Sequence, residues 1–204
     1  MPSILGSAEI ISKTSAALTA NNIEVTIVDT GAEALAKIKE WIPAGASVNN
    51  GSSRTLEQIG YIDYLKEGKH GWNNLKVAIL AEKDPEKQKM MRKQAVISDY
   101  YLGSVHGLAE TGEFVIASNT GTQLPHIVYT SPNLIFVVST KKIVPTLADA
   151  IERVEKVVYP LEDQRLMESS KVHTMVSKIV IFKKENPRMG RKVRMILVNE
   201  DLGF

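Results

Sequence analysis

The chain has 204 residues, 44% of them hydrophobic and 24% charged, a length and balance that fit one globular domain and exclude global disorder. A formal net charge of +2 and a pI of about 8.7 are too mild for a nucleic-acid-binding face. With no cysteine, the chain has no disulfide framework, thiolate zinc site, cysteine nucleophile or iron–sulfur cluster of its own. No window approaches the ~18 apolar residues of a membrane span, and MPSILGSAEIISK lacks a signal-peptide pattern, so the expectation is a cytoplasmic protein without membrane contact.

Taken in chain order, Ile4, Leu5, Ala8, Ile11 and Leu18 recur at helical spacing and predict a helix over residues 3–21, ended by Asn21-Asn22. Ile23 to Val28 alternates and is β-branched, the pattern of a strand. Thr30 with Glu33 forms a capping box for a helix that buries Ala34, Leu35, Ile38, Trp41 and Ile42 and stops at Pro43 and Gly45. This close strand–helix succession suggests βα repeats on a parallel sheet.

A short strand from Ala46 leads into the polar turn Asn50-Gly51-Ser52-Ser53, and Thr55 with Gln58 reads as a second capping box. Free amides at such a turn either cap the helix or cradle a phosphate or carboxylate. Leu75 to Leu80 fits a strand or a helix. Asp84-Pro85-Glu86 starts a helix running to about Ser98, with Met90, Met91, Ala95 and Ile97 toward the core.

Tyr100 to Leu124 holds the densest cluster of chemically useful side chains. Tyr100 to Gly103 reads as a strand, and Glu113 to Ala117 as a second one after the Thr111-Gly112 turn, in a hairpin or a strand–loop–strand rim. Between them His106 has Glu110 and Glu113 nearby in sequence. A carboxylate can orient an imidazole and raise its pKa toward neutrality, which makes His106 and Glu110 the candidate acid–base pair; a structural loop histidine is the alternative. Neither has the spacing of a metal site. A second run of small polar residues, Asn119-Thr120-Gly121-Thr122, precedes a short helix over 123–129 and also suits anion binding.

Leu134 to Ser139 is a continuous apolar run, as expected of a central parallel strand. Lys141 and Lys142 follow at its carboxyl end, where open α/β sheets bind ligands. Pro145 opens a helix with Ile143, Leu147, Ile151, Val154 and Val158 on one face, reaching Tyr159 with Pro160 beyond. Strands over 174–182 and 193–199, joined by a loop with Pro187 and Gly190, read as a late hairpin added to the sheet, and the basic run Arg188 to Arg194 as a solvated loop.

Three segments then carry a family resemblance: Asn50-Gly51-Ser52-Ser53-Arg54-Thr55-Leu56-Glu57-Gln58-Ile59-Gly60, Gly103-Ser104-Val105-His106-Gly107-Leu108-Ala109-Glu110-Thr111-Gly112, and Ala117-Ser118-Asn119-Thr120-Gly121-Thr122-Gln123-Leu124-Pro125. Lys142-Ile143-Val144-Pro145 and the terminal Ile196 to Phe204 add to it. From about Glu33 onward the chain resembles the LUD (lactate-utilisation) domain proteins of the LutC/YkgG type. The resemblance implies a layered α/β fold with a mainly parallel sheet, like the NagB/RpiA/CoA-transferase superfamily. Together with the patterns above, it gives one expected domain over 1–204, with an N-terminal helix over 1–22 and added C-terminal strands over 174–204. It also implies a component of L-lactate to pyruvate oxidation that acts with iron–sulfur partner proteins, and by analogy a homo-oligomer. The alternative is an independent enzyme or sensor for an anionic metabolite such as a sugar phosphate, CoA ester or carboxylate. The expected ligand site combines Asn50, Gly51, Ser52, Ser53, Thr55, His106, Asn119, Thr120, Gly121, Thr122 and one of Lys141 or Lys142. No cofactor is specified.

Overall fold

The structure, a computed structural model, describes residues 5–204. In chain order it contains α1 (Ala8–Ala20), β1 (Glu24–Val28), α2 (Gly31–Trp41), β2 (Ser47–Asn50), α3 (Arg54–Gln58), α4 (Tyr61–Glu67), β3 (Asn73–Asn74), α5 (Leu75–Ala81), α6 (Pro85–Gln94) and β4 (Tyr100–Gly103). There follow β5 (Gly107–Ala109), β6 (Phe114–Ser118), a π turn (His126–Thr130), β7 (Asn133–Ser139), a 3-10 turn (Thr140–Lys142), β8 (Ile143–Val144) and α7 (Leu147–Arg153). A second π turn (Val154–Val158), α8 (Tyr159–Ser170), β9 (Lys178–Phe182) and β10 (Lys192–Val198) complete the chain.

Six strands form a wholly parallel sheet in the order β1-β10-β7-β4-β2-β3. The apolar run of β7 places it between β10 and β4, and its period of two divides it between two cores. Leu134, Phe136 and Val138 face one core, which also takes Leu108, Phe114 and Ile116. Ile135 and Val137 face the other, against Ala34, Ile38, Leu56 and Tyr61 of α2, α3 and α4. A smaller mixed sheet, β8-β5-β6-β9, lies over the first core. On its far side Val115 packs with Ala150 and Val154. β5 comes so close to α7 that a side chain on Gly107 would fall 2.6 Å from the Ala150 carbonyl.

Several expectations are corrected. α1 starts at Ala8 on the Ser7 cap, so Leu5 is not helical, while Ser3 and Ile4 lie outside the described residues. Helix 54–58 is capped by Ser53, whose hydroxyl accepts from the Leu56 amide; Thr55 lies inside the helix and Gln58 accepts from the Gly203 amide. Leu75 to Ala81 is a helix. α6 ends at Gln94 and buries none of its residues, with Met90 exposed, because Lys87, Lys89, Arg92 and Lys93 interrupt any continuous apolar stripe; beyond it Ala95 is buried as expected and Ile97 is exposed. The helix after Pro145 begins at Leu147 under a Thr146–Asp149 capping box, and Ile143 belongs to β8.

Pro160 does not end that helix. It stands in the first turn of α8, where its missing N–H is tolerated directly after the wider π turn. The late hairpin is also overturned. β9 pairs with β6 in the small sheet, whereas β10 inserts between β1 and β7. Val193 and Met195 to Val198 are buried on both faces and need cover that a hairpin at a sheet edge cannot give. The basic run is correspondingly structured: Arg191 donates to the Ile127 carbonyl and Arg194 pairs with Glu24 from within β10.

Candidate functional site

A cleft of about 330 Å³ opens at the carboxyl ends of β2, β4 and β7, where parallel α/β sheets place ligands. Gly51 to Thr55 form one wall, Gly103 to His106 the next, and Ala117 to Thr120 with Thr122 the third. The π turn and α8 close the far side through Val154, Tyr159, Glu162 and Arg165. The three small-residue segments, distant in sequence, therefore share one cavity.

Lys142 lies at the inner end. The 3-10 turn after β7 carries it into the protein, and the residue is 3% exposed. Its Nζ donates to Thr55 Oγ1 (3.2 Å), Ser104 Oγ (3.1 Å) and the Val105 carbonyl (3.2 Å), three uncharged oxygens. Burial, then the Arg153 guanidinium, then the Lys141 ammonium push its pKa down to about 7. Lys141 differs: it pairs with Asp201 and donates to the Gly203 carbonyl (2.8 Å), and it does not line the cleft. Between the two lysines offered by the sequence, the cleft contains Lys142.

His106 lines the cleft without its expected partner. Its Nδ1 accepts from the Ala117 amide (3.0 Å), which leaves the proton of the neutral ring on Nε2. Burial, Lys142 and Arg153 depress its pKa to about 3, opposite to the rise that a carboxylate neighbour would produce. Glu110 points away from the cleft and bonds Lys13 (2.7 Å), and Glu113 accepts from Thr111 (2.5 Å). β5 intervenes between His106 and Glu110, so the two residues leave opposite ends of a strand. The acid–base pair is thus corrected: His106 is a neutral hydrogen-bond donor at its Nε2.

Because the unfolded ring binds a proton near pH 6.5 and the folded one only near pH 3, the unfolded state holds more protons between these values. Stability contributed by the neutral ring is present above pH 6.5 and is lost on acidification through that window. Urea unfolding followed from neutral pH down to about pH 4 is expected to show a shallower acid limb in His106→Gln than in the wild type. Superimposable limbs would show that the ring is not held neutral.

Of the other expected residues, Gly51, Ser52, Ser53, Thr55, Asn119, Thr120 and Thr122 line the cleft. Asn50 is buried behind it and donates to its neighbour's carbonyl at Gly51. The Gly121 amide is already given to Ser118 Oγ (3.0 Å), which removes one donor from that loop. Asn119 is tied to Thr174 and Ser177. Ser104, Arg54, Glu162 and Arg165 were not among the expected residues but line the cleft. Glu162 and Arg165 pair through two bonds of 2.7 Å; their spacing of three is a helical signal that could have carried the helix past Pro160. Among the described residues no group of three or more His, Asp or Glu side chains is placed to hold a metal ion, and no helix is long and apolar enough to cross a membrane.

A six-stranded parallel sheet under a small mixed sheet, with a hydroxyl-rich cleft at the strand ends, defines a layered α/β fold class. The chain belongs to the LUD domain family, whose profile matches residues 11–198, and this family is associated with lactate utilisation. The fold is shared with the crystal structure of a DUF162 family protein from Deinococcus radiodurans, at a TM-score of 0.58 and 14% identity over 96% of this chain and 100% of that one. Among curated proteins none matches the chain.

Proposed function

We propose that the domain is a lactate-utilisation component whose cleft binds a small carboxylate metabolite, L-lactate or pyruvate, while iron–sulfur partner proteins handle the electrons. The observation that carries this reading is Lys142, a buried cation with only uncharged oxygens as hydrogen-bond partners, set at the inner end of the cleft. An anion there supplies the charge that its protein partners do not. The Nε2–H of His106 and the hydroxyls of Ser52, Ser53, Thr120 and Thr122 offer bonds to a carboxylate or hydroxyl. Oxidation of lactate releases two electrons, and a chain without cysteine carries no cluster to receive them.

Thermal unfolding with L-lactate and with pyruvate tests this. Either ligand at 100 times its dissociation constant adds about 2.7 kcal/mol of stability, and the shift is expected to vanish in Lys142→Met. No shift with either ligand sinks the reading. The cleft volume of about 330 Å³ favours one second reading, an independent enzyme or sensor for a larger anion. A shift with sugar phosphates or CoA esters alone would support that one instead.

A further inference from the structure

We propose that Lys142 is a covalent carbonyl-binding residue, whose Nζ condenses with the keto group of a 2-oxo acid to form an imine within the cleft. This deepens the carboxylate-binding reading above and rests on it. The neighbouring Lys141 is paired with a carboxylate, Asp201. Lys142 has instead two hydroxyls and a carbonyl that fix the direction of Nζ without neutralising it. Arg153, which donates to the His106 carbonyl, and Lys141 add positive charge around it. Three effects follow from that setting. The amine is fixed in place, it is shielded from bulk water, and it is destabilised in its protonated form, so near neutrality a large share carries the free lone pair that attack requires.

The step balances without any oxidant. The Nζ lone pair forms a bond to the keto carbon, and the carbonyl π pair moves to oxygen. A proton leaves nitrogen for that oxygen, relayed by Thr55 or Ser104, whose hydroxyls lie within hydrogen-bond reach of Nζ and 3.4 Å from each other. The carbinolamine then loses the oxygen as water to leave the imine, and hydrolysis reverses every step. For the carboxylate of a 2-oxo acid the His106 Nε2–H and the hydroxyls of Ser52, Ser53, Thr120 and Thr122 are the donors in the cleft. A simple ketone has no carboxylate to take those bonds, and a hydroxy acid such as lactate has no keto carbonyl.

The test is reductive trapping on the full chain. Protein is incubated with pyruvate at neutral pH, sodium borohydride is added, and intact mass and peptide mass are read. The expected result is a gain equal to one pyruvate less one oxygen atom, located on the peptide containing Lys142. It should be absent from Lys142→Arg and lost when excess L-lactate occupies the cleft. Trapping spread over surface lysines, or unchanged in Lys142→Arg, overturns the proposal. Because the wild-type peptide map assigns the site by itself, the result stands even if the variant folds poorly. Thermal unfolding with pyruvate, without borohydride, separates the two levels. A melting shift with no adduct overturns imine formation and leaves carboxylate binding in place, whereas no shift and no adduct overturns both.

Discussion

Lys142→Met is expected to cross the wild type in stability as pH rises, and to lose the response to carboxylates. The lysine titrates near 10.5 when free and near 7 in the fold. Between those values the unfolded chain holds a proton that the folded chain has released, so wild-type stability rises with pH across that window. Below pH 7 both states are protonated, the slope disappears and the full cost of the buried charge remains. A depression of this size corresponds to roughly 5 kcal/mol against the charged form. Methionine removes the cost at every pH and leaves Thr55, Ser104 and the Val105 carbonyl without their donor, a loss of about 1–3 kcal/mol. The variant should therefore match or exceed the wild type near pH 7 and fall below it near pH 10. Urea denaturation at intervals across this range measures it, and curves that stay parallel would falsify a depressed, buried amine.

The same lysine illustrates what the sequence makes legible. The apolar run of β7 marks a strand buried on both faces, and a position just after its carboxyl end is a ligand position in any open parallel sheet. Those two facts narrow the chain to Lys141 or Lys142. Choosing between them depends on the 3-10 turn over Thr140–Lys142, which sends one side chain toward Asp201 and the other into the cleft. Three residues of turn geometry have no periodicity from which to read that choice.

His106 was legible as a member of the site and illegible in its role. Its closeness in sequence to Glu110 suggests a pair, but the intervening residues form β5, and its pKa is lowered first by burial and then by cations from residues 142 and 153. Long-range partners of this kind are invisible to local pattern. The capping box at Thr30 and the strand from Glu24 to Val28, by contrast, depend on neighbours within four residues and are present as expected. β10 lies between these extremes. Its apolar content marks a strand, but nothing local says that a strand so late in the chain completes the middle of the sheet instead of pairing with β9 as a hairpin.

Gly203→Ala is expected to destabilise the fold and to return Lys142 toward the behaviour of an ordinary lysine. Gly203 has a φ of +68°, which an L side chain adopts at a cost of about 1–2 kcal/mol. A side chain there would also collide with Thr55 Oγ1 and stand 2.9 Å from Lys142 Nζ. The backbone has little freedom to retreat, since its amide donates to Gln58 Oε1 (2.6 Å), its carbonyl accepts from Lys141 Nζ, and Leu202 is buried in the core beneath it. The methyl group must therefore lift the segment or displace Thr55, with a loss of roughly 2–4 kcal/mol in all. Gly190→Ala is the control, because Gly190 has nearly the same φ, +66°, and no atom within 4 Å of the added carbon. Backbone strain alone should lower both melting temperatures equally; the excess in Gly203→Ala measures packing against the cleft. If the segment lifts, water reaches Nζ, the desolvation that depresses its pKa weakens, and the pH midpoint for acetylation of Lys142 moves up. A melting loss no larger than that of Gly190→Ala, with an unmoved midpoint, would mean that the segment does not seal the amine, and that the other walls of the cleft alone keep it dry.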